Sequence, residues 1–528
     1  MRHVRAWKRL RRRLRDRRRT KRPLTGYQAD FPATARAFHR FLDRAALGAA
    51  PGPGEPLGVV VMPWVATPLP WYALALAVGL HRRGRRVTLI WDDTEIRPTK
   101  PGSREQNELI APVLDRVEPA LTVVRLSRQP KRAVAPEDGV QLSRLARLNE
   151  AWHLRGGLPA ESDVRLRPVV EKNLANTLGR LRSLLAEQEF RYLVVPGGIW
   201  GSGGLFVQAG AEAGARVSTY DAGQGWYQTS NSGIAAQQTD VGAAFRALWR
   251  DDLVGLEPWL AAGQAEFDAR VNGRDRAQFQ VVEAGLRAPE FPVDVLMPMN
   301  VDFDAAALGR HVHFADTTEW VTETIAFTLA HSRAHVVVRQ HPSERRALER
   351  SRLDLRQRIR DRFGDEPRIR FVGAEASTSS YDLLHAAGMV VPFVSTFGIE
   401  AAALGKTTLL AGDSYYGDLG FVWAARSRAE YFDLLARGLA QRLPALAHQR
   451  EKAWLCYYLS QCCNRVWTDF TPQPDDYWKW CDRTPEALFD DPAVADLLTS
   501  IDQDAPLALV RHERLAGVTA PGARSLPH

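Results

Sequence analysis

Between residues 336 and 410 the chain states one local pattern twice: a β-branched run stops at small or polar residues, and a helical pattern begins. The first run, HVVVRQHPSERR, reads as a buried strand ending at Gln340 and His341. The second, VVPFVSTFGIEAAALGKTTLLAG, carries a strand into Ser395, Thr396, Phe397, Gly398 and Glu400. Such strand-to-helix turns leave unpaired backbone N–H groups at a helix N-terminus, which suits a phosphate. Two of them about one βα unit apart point to a nucleotide or nucleotide-sugar site.

The rest of the chain repeats the alternation. After a basic leader (1–23), residues 24–50 read as a helix and the turn-rich PGPGEP begins the globular body. LGVVVMPW (57–64), RVTLIW (86–91) and LTVVRL (121–126) read as buried strands, with helices over 69–83 and 104–117 between them. Residues 141–188 are polar and helical; RYLVVPGG (191–198), a helix near 203–214 and RVSTYDAG (216–223) follow. A helical connector is predicted over 241–290. A second block has strands at 293–300, 335–340, 368–372, 389–394 and 407–411, alternating with helices at 317–332, 343–362, 380–387 and 398–404. Residues 426–465 read as helical, 467–481 as an aromatic loop, and the chain after about 500 as loosely ordered. This alternation argues for parallel, doubly wound sheets. The expected fold is α/β, with a Rossmann-like N-terminal domain (24–240) carrying a helical insertion and a Rossmann-like C-terminal domain (291–425). The two would face each other across a cleft at the carboxyl ends of their strands, with helices and a tail over 426–528.

Length and composition bound the partners. At 528 residues the chain exceeds one core, and its 45% hydrophobic and 25% charged content is ordinary for a globular protein. No run of about 18 apolar residues occurs, and the N-terminus lacks the apolar stretch of a signal peptide, so a cytoplasmic location is expected. The net charge of +9 is concentrated: residues 2–22 hold 13 Lys or Arg against Asp16 alone, which leaves the remainder at −3. Val4, Trp7, Leu10 and Leu14 fall near helical spacing among those arginines. The segment reads as an interfacial helix on anionic inner-membrane lipid, or else as a solvated charged leader or a start placed too early. No basic and aromatic motif recurs in the body, so specific nucleic-acid recognition is not expected. Cys456, Cys462, Cys463 and Cys481 lack paired metal spacing and read as reduced packing residues, so no metal is assigned.

Individual residues suggest roles. Pro342 suits the first position of a helix, and His341 beside it, with Arg339 nearby, would donate to a phosphate oxygen; the plain alternative is an ordinary strand end. Ser395 and Thr396 offer hydroxyls and amides, and Gly398 permits close approach. Glu400, in the first helical turn, could accept from ribose hydroxyls or simply oppose the helix dipole. In the N-terminal half, GGIWGSGG (197–204) places Trp200 and Gly201 in a glycine-rich loop after a strand. TYDAGQGW (219–226) places Asp221 at a strand end and Gln224 beyond it. Asp221 could take a proton from an acceptor hydroxyl or could cap its turn; Asp92 and Asp93 are rival bases. Trp200 and Trp226 could stack on a sugar or lie buried at loop bases. Asn300 and Asp302 end the first strand of the second block. His311 and His313 share one face without a third metal ligand, and DFD (302–304) is a common loop match.

The HP pair followed by YDLLHAAGMVVPFVSTFGIEAAALGKTTLLAG resembles the donor half of bacterial GT-B glycosyltransferases. The likeness is greatest to the capsule polysaccharide biosynthesis group, which includes Kdo transferases, and extends more distantly to bacterial sialyltransferases. It covers residues 293 to 415; the N-terminal half matches in pattern only. The resemblance implies that His341 meets the donor phosphate, with Arg339 and Gln340 beside it. It further implies that Ser395 and Thr396 cradle the phosphate and that Glu400 lies near the ribose. It also implies metal-independent chemistry without a cofactor, on a nucleotide-sugar donor, CMP-linked or otherwise, and a glycan or lipid-linked acceptor. Trp200, Gly201 and Gln224 would serve the acceptor side. Polyol-phosphate transfer, sugar-nucleotide epimerisation and a non-catalytic assembly role are the alternatives.

Overall fold

The computed structural model describes residues 27–48, 55–62, 67–94, 103–157, 166–222, 225–274, 287–346, 349–472 and 478–517. These form two compact units that are not contiguous in sequence: the first takes residues up to Ala146, Pro168–Ser232 and Val466–Ala505, and the second takes the remainder.

The first unit holds β1 (Leu57–Val61), β2 (Val87–Trp91), β3 (Thr122–Arg125), β4 (Tyr192–Pro196), β5 (Arg216–Asp221) and β6 (Gln228–Ser230). They form one sheet in the order β3-β2-β1-β4-β5-β6. β1 to β5 run parallel, with Val59 opposite Leu89, while β6 returns antiparallel with Ser230 opposite Thr219. β1 and β2 are buried along their whole length, because helices cover both faces of a parallel sheet. An aromatic core of Phe38, Phe41, Trp71, Tyr72, Trp226, Tyr227 and Trp480 ties residues 466–505 to this unit.

The second unit holds β7 (Val295–Pro298), β8 (Val336–Arg339), β9 (Ile369–Val372), β10 (Met389–Val390), β11 (Thr407–Leu410) and β12 (Trp423–Ala424). All are parallel, in the order β12-β11-β10-β7-β8-β9. Each sheet is thus doubly wound with the same connectivity, as the alternation predicts. The order reverses between β1 and β4 in one unit and between β7 and β10 in the other. Crevices at such reversals are where open α/β sheets bind ligands.

Four details differ from expectation. The predicted helix over 343–362 is a single 3₁₀ turn, Pro342–Arg345, and a separate helix, Leu355–Phe363. The Glu344 carboxylate turns inward to take the Ser351 N–H at 3.0 Å, and Asp354 caps the new helix by accepting from Gln357 N at 3.0 Å. The strand predicted over 389–394 is regular only at Met389–Val390: Val391 N still donates to the Leu296 carbonyl at 2.8 Å and the Pro392 carbonyl accepts from Ala411 N at 3.1 Å, but Pro392 has no N–H to give to the ladder. Residues 501–517 are ordered, with a helix over Leu507–Leu515 whose Leu507 and Ala508 are fully buried. β6 and β12, too short to show periodicity, were not predicted. The basic leader, Gln224 and the tail beyond 517 lie outside the described residues. Among the described residues no helix is long and apolar enough to cross a membrane, and no three His, Cys, Asp or Glu cluster as a metal site would require.

Candidate functional site

In the second unit the carboxyl ends of β7, β8 and β10 bring the predicted residues to one edge. β8 and β10 both neighbour β7, so their ends lie about 10 Å apart. The turn after β10 carries Ser395 and Thr396. The Ser395 carbonyl accepts from Gly398 N at 2.9 Å and from the Tyr416 hydroxyl, and the Ser395 Oγ accepts from Phe397 N at 3.2 Å. Among the described residues neither the Ser395 N–H nor the Thr396 N–H has an acceptor. Two adjacent amides are therefore open where the sheet order reverses. Across the reversal, Asn300 after β7 accepts from Val394 N at 3.4 Å.

His341 follows β8 and is partly buried. Its Nδ1 accepts from Ser343 N at 3.2 Å and lies 2.7 Å from Ser343 Oγ. Burial, aided by the neighbouring Arg339 charge, pushes its pKa down to about 4. The ring is thus neutral near pH 7, and with Nδ1 accepting, the proton resides on Nε2 as a donor.

Three other predicted residues have protein partners. Arg339 is 4% exposed; its Nε donates to Ser380 Oγ at 3.1 Å and its Nη1 to the Gly373 carbonyl. Burial lowers its pKa to about 10, which leaves it charged. Gln340 donates to Glu344 at 3.1 Å and accepts from Ala374 N at 3.0 Å. These two residues hold the strand ends around His341. Glu400 is 2% exposed and pairs with Arg270 at 3.3 Å, so the structure gives its carboxylate a protein partner. Gly398 is required by close packing: a Cβ there would meet the Tyr416 hydroxyl at 2.5 Å and Pro392 at 2.9 Å.

The loop after β7 adds residues that the sequence left unassigned. Arg310 pairs with Asp413 at 2.6 Å. The His311 ring stacks on Phe393 with centroids 4.3 Å apart. The Arg310–Asp413 pair spans 103 residues, which no local motif marks.

In the first unit the glycine loop follows β4, at that sheet's own reversal. Gly198 and Gly201 have φ of +94° and +59°, conformations a side chain would strain. Trp200 precedes the helix Gly201–Glu212 and is partly buried, whereas Trp226 is 1% exposed within the aromatic core. Asp221 ends β5 and its Oδ1 accepts from Ala222 N at 2.7 Å. Asp93 is held by Ser127, whose N donates at 2.7 Å. Asp92 after β2 is fully buried, accepts from Thr94 N at 3.2 Å and lies beside Ser202; burial raises its pKa.

No sequence family matches this chain, and no curated protein does. Several solved structures are similar to it. A β-Kdo 2,7 transferase, KpsC of Thermosulfurimonas dismutans, aligns at 15% identity over 52% of this chain and 88% of its own, with a TM-score of 0.31. The Staphylococcus aureus MnaA–UDP structure aligns at 11% identity over 76% of this chain and 92% of its own, with a TM-score of 0.27. A glycosyltransferase from Rickettsia africae aligns at 10% identity over 78% of this chain and 94% of its own, with a TM-score of 0.26.

Proposed function

We propose that this chain is a GT-B-type glycosyltransferase that moves a sugar from a nucleotide donor to a glycan or lipid-linked acceptor in bacterial surface polysaccharide assembly. The observation that carries the reading is the pair of open amides at Ser395 and Thr396, set where the sheet order reverses, with the His341 Nε2–H one strand beyond β7. Three neutral donors of this kind hold a phosphate whose negative charge grows as the glycosidic bond breaks. The chain's resemblance in the HP pair and the STFG turn supports the same assignment.

In this reading the acceptor hydroxyl attacks the anomeric carbon, the bond from that carbon to the phosphate oxygen breaks, and the nucleotide leaves with the electron pair. Asp221 receives the hydroxyl proton, and Trp200, Gly201 and Gln224 border the acceptor. The leaving charge is met by amides and an imidazole without a divalent ion. Arg339 and Gln340 are positioning residues that keep the β8 and β9 ends in place. A CMP-linked donor is the first to test, with UDP, GDP and dTDP as the others. The basic segment 2–22 would hold the enzyme on anionic lipid; its deletion should shift the protein out of the membrane fraction, and unchanged partitioning would refute that role.

The test is thermal unfolding with CMP, UDP, GDP and dTDP, beside His341→Ala. One nucleotide should raise the wild-type melting temperature, with little effect on the variant. Turnover should fall roughly 10²–10³-fold in the variant. No shift with any nucleotide would remove the reading. Conversion of a nucleotide sugar without acceptor would reassign the same site to epimerisation, and a phosphodiester product would reassign it to polyol-phosphate transfer.

A further inference from the structure

The second sheet ends at β9, which has a strand on one side only. Val336 N donates to the Arg368 carbonyl at 2.8 Å, and Gln340 N donates to the Val372 carbonyl at 3.0 Å. In a parallel ladder that phase turns the backbone groups of residues 368, 370 and 372 toward β8, and those of 369 and 371 away from it. The Ile369 N–H is taken by the Glu366 carbonyl at 3.1 Å. The Ile369 carbonyl and both backbone groups of Phe371 have no partner among the described residues. A groove of about 720 Å³ lies along this edge, lined by the whole of β9 with Phe291, Arg356, Arg360 and Arg368.

Positive charge flanks the edge on both faces of the sheet. Side chains of a strand alternate, so Arg370 projects to one face and Phe371 to the other. The Arg370 guanidinium lies over the Phe291 ring at 4.8 Å. Arg356, from the helix Leu355–Phe363, lies over the Phe371 ring at 5.4 Å. Both arginines are exposed. Arg368 has Glu366 at 3.0 Å and Arg360 has Asp365 at 3.8 Å, but Arg356 and Arg370 have no carboxylate among the described residues. At the corresponding edge of the first sheet, by contrast, Arg125 of β3 pairs with Asp115 at 3.0 Å. The β9 edge thus joins open backbone groups to uncompensated charge.

We propose that β9 is a docking edge for an extended acidic segment of a partner protein, which adds a strand to the second sheet. Backbone pairing holds the segment, and its side chains give the selectivity. Consecutive residues of an added strand point to opposite faces, so two adjacent carboxylates meet Arg370 on one face and Arg356 on the other. A second copy of this chain is the poorer occupant, because two β9 edges would bring like charges together. A glycan lacks the repeating N–H and C=O groups that a strand edge pairs with. Charged side chains also serve to keep sheet edges unpaired, and arginines with that role alone would take no acidic strand.

The experiment is a calorimetric titration of the full chain with the end-blocked peptide Thr-Val-Glu-Asp-Val-Thr. Its controls are the peptide with Lys-Lys in place of Glu-Asp, the acidic peptide with every amide N-methylated, and alginate, a polymer of uronates. The wild type should bind the acidic peptide and not the Lys-Lys one. Methylation removes the backbone donors and keeps the charges, so it should weaken binding roughly tenfold or more. Arg370→Glu and Arg356→Glu should each weaken binding roughly tenfold, with melting temperatures close to the wild-type value because both side chains are exposed. No binding of the acidic peptide, or binding that survives either charge reversal, overturns the proposal and leaves the arginines as guards of the edge. Equal binding of the methylated peptide, or of alginate in its place, overturns it in favour of an anion site without strand pairing. A wild-type dimer that the acidic peptide dissociates would give the edge to a second copy instead.

Discussion

The two units share one strand order and fill its equivalent places with opposite chemistry. After the second strand of each sheet stand Asp92 and Asp93 in the first unit, and Gln340 and His341 in the second. At the reversal, the first unit has a turn of glycines, with φ of +94° at Gly198 and +59° at Gly201. The second has Ser395 and Thr396, neither in the left-handed region, with amides open. One edge is lined by carboxylates and bends through glycine; the other presents hydrogen-bond donors. The connectivity determines where chemistry can sit, and the residues at the strand ends determine its sign. Carboxylates suit the removal of a proton, and donors suit the holding of an anion.

The largest expected effect tests whether that division is functional. Asp221→Asn should lower turnover by roughly 10²–10⁴ while leaving nucleotide-induced stabilisation intact, measured by steady-state rates and thermal unfolding on one preparation. Loss of nucleotide binding in that variant would break the comparison, because the two edges would then not be separable. Of the two rival bases, Asp92 and Asp93, unchanged turnover would move the base to Asp93, since Asp92 is fully buried.

The second test is pH. His341 has a folded pKa of about 4 against 6.5 unfolded, so the unfolded chain binds the extra proton between those values. Its contribution to stability is complete above pH 6.5 and is lost as pH falls toward 4, a change on the order of 3 kcal/mol. Urea unfolding of His341→Asn should therefore fall less steeply than the wild type across that window. Parallel curves would mean that the imidazole is not held neutral. The smallest effect concerns packing: Gly398→Ala should cost about 1–3 kcal/mol, because its Cβ would meet the Tyr416 hydroxyl. Gly201→Ala, strained through its backbone φ of +59°, should cost about 1 kcal/mol. Equal costs would erase the distinction between a turn set by neighbours and a turn set by φ.

Much of this was legible in the chain. β1, β2 and β8 are short β-branched runs buried on both faces, and such runs stand out against helical spacing. The strand ends that carry His341, Ser395 and Thr396 were visible for the same reason. What the sequence hid depends on partners far along the chain. Arg339 reads in sequence as a phosphate neighbour, and its bonds to Gly373 and Ser380 carry no local signal. Gly398 reads in sequence as a point of close approach, and the nearness of Tyr416 to it could not be seen there. The break after Arg345 follows from the inward turn of Glu344, whose partner Ser351 carries no local signal. His311 was weighed only as a metal ligand, since its packing on Phe393, 82 residues away, leaves no local signal.

The return of residues 466–505 to the first unit has a consequence for how the chain is made. Asn231 donates to the carbonyls of Ser500 and Ala505, Tyr227 bridges to Val466, and Trp480 packs on Trp226. The ribosome releases Ser232 about 230 residues before it releases Val466. At ordinary elongation rates that interval is roughly 10–50 seconds. During it the aromatic centre of the first unit lacks its last layer, while the second unit is being synthesised. The sheet that is first in sequence therefore waits for its last layer until most of the second unit has been made, and the nascent chain presents an apolar surface that chaperones are suited to shield.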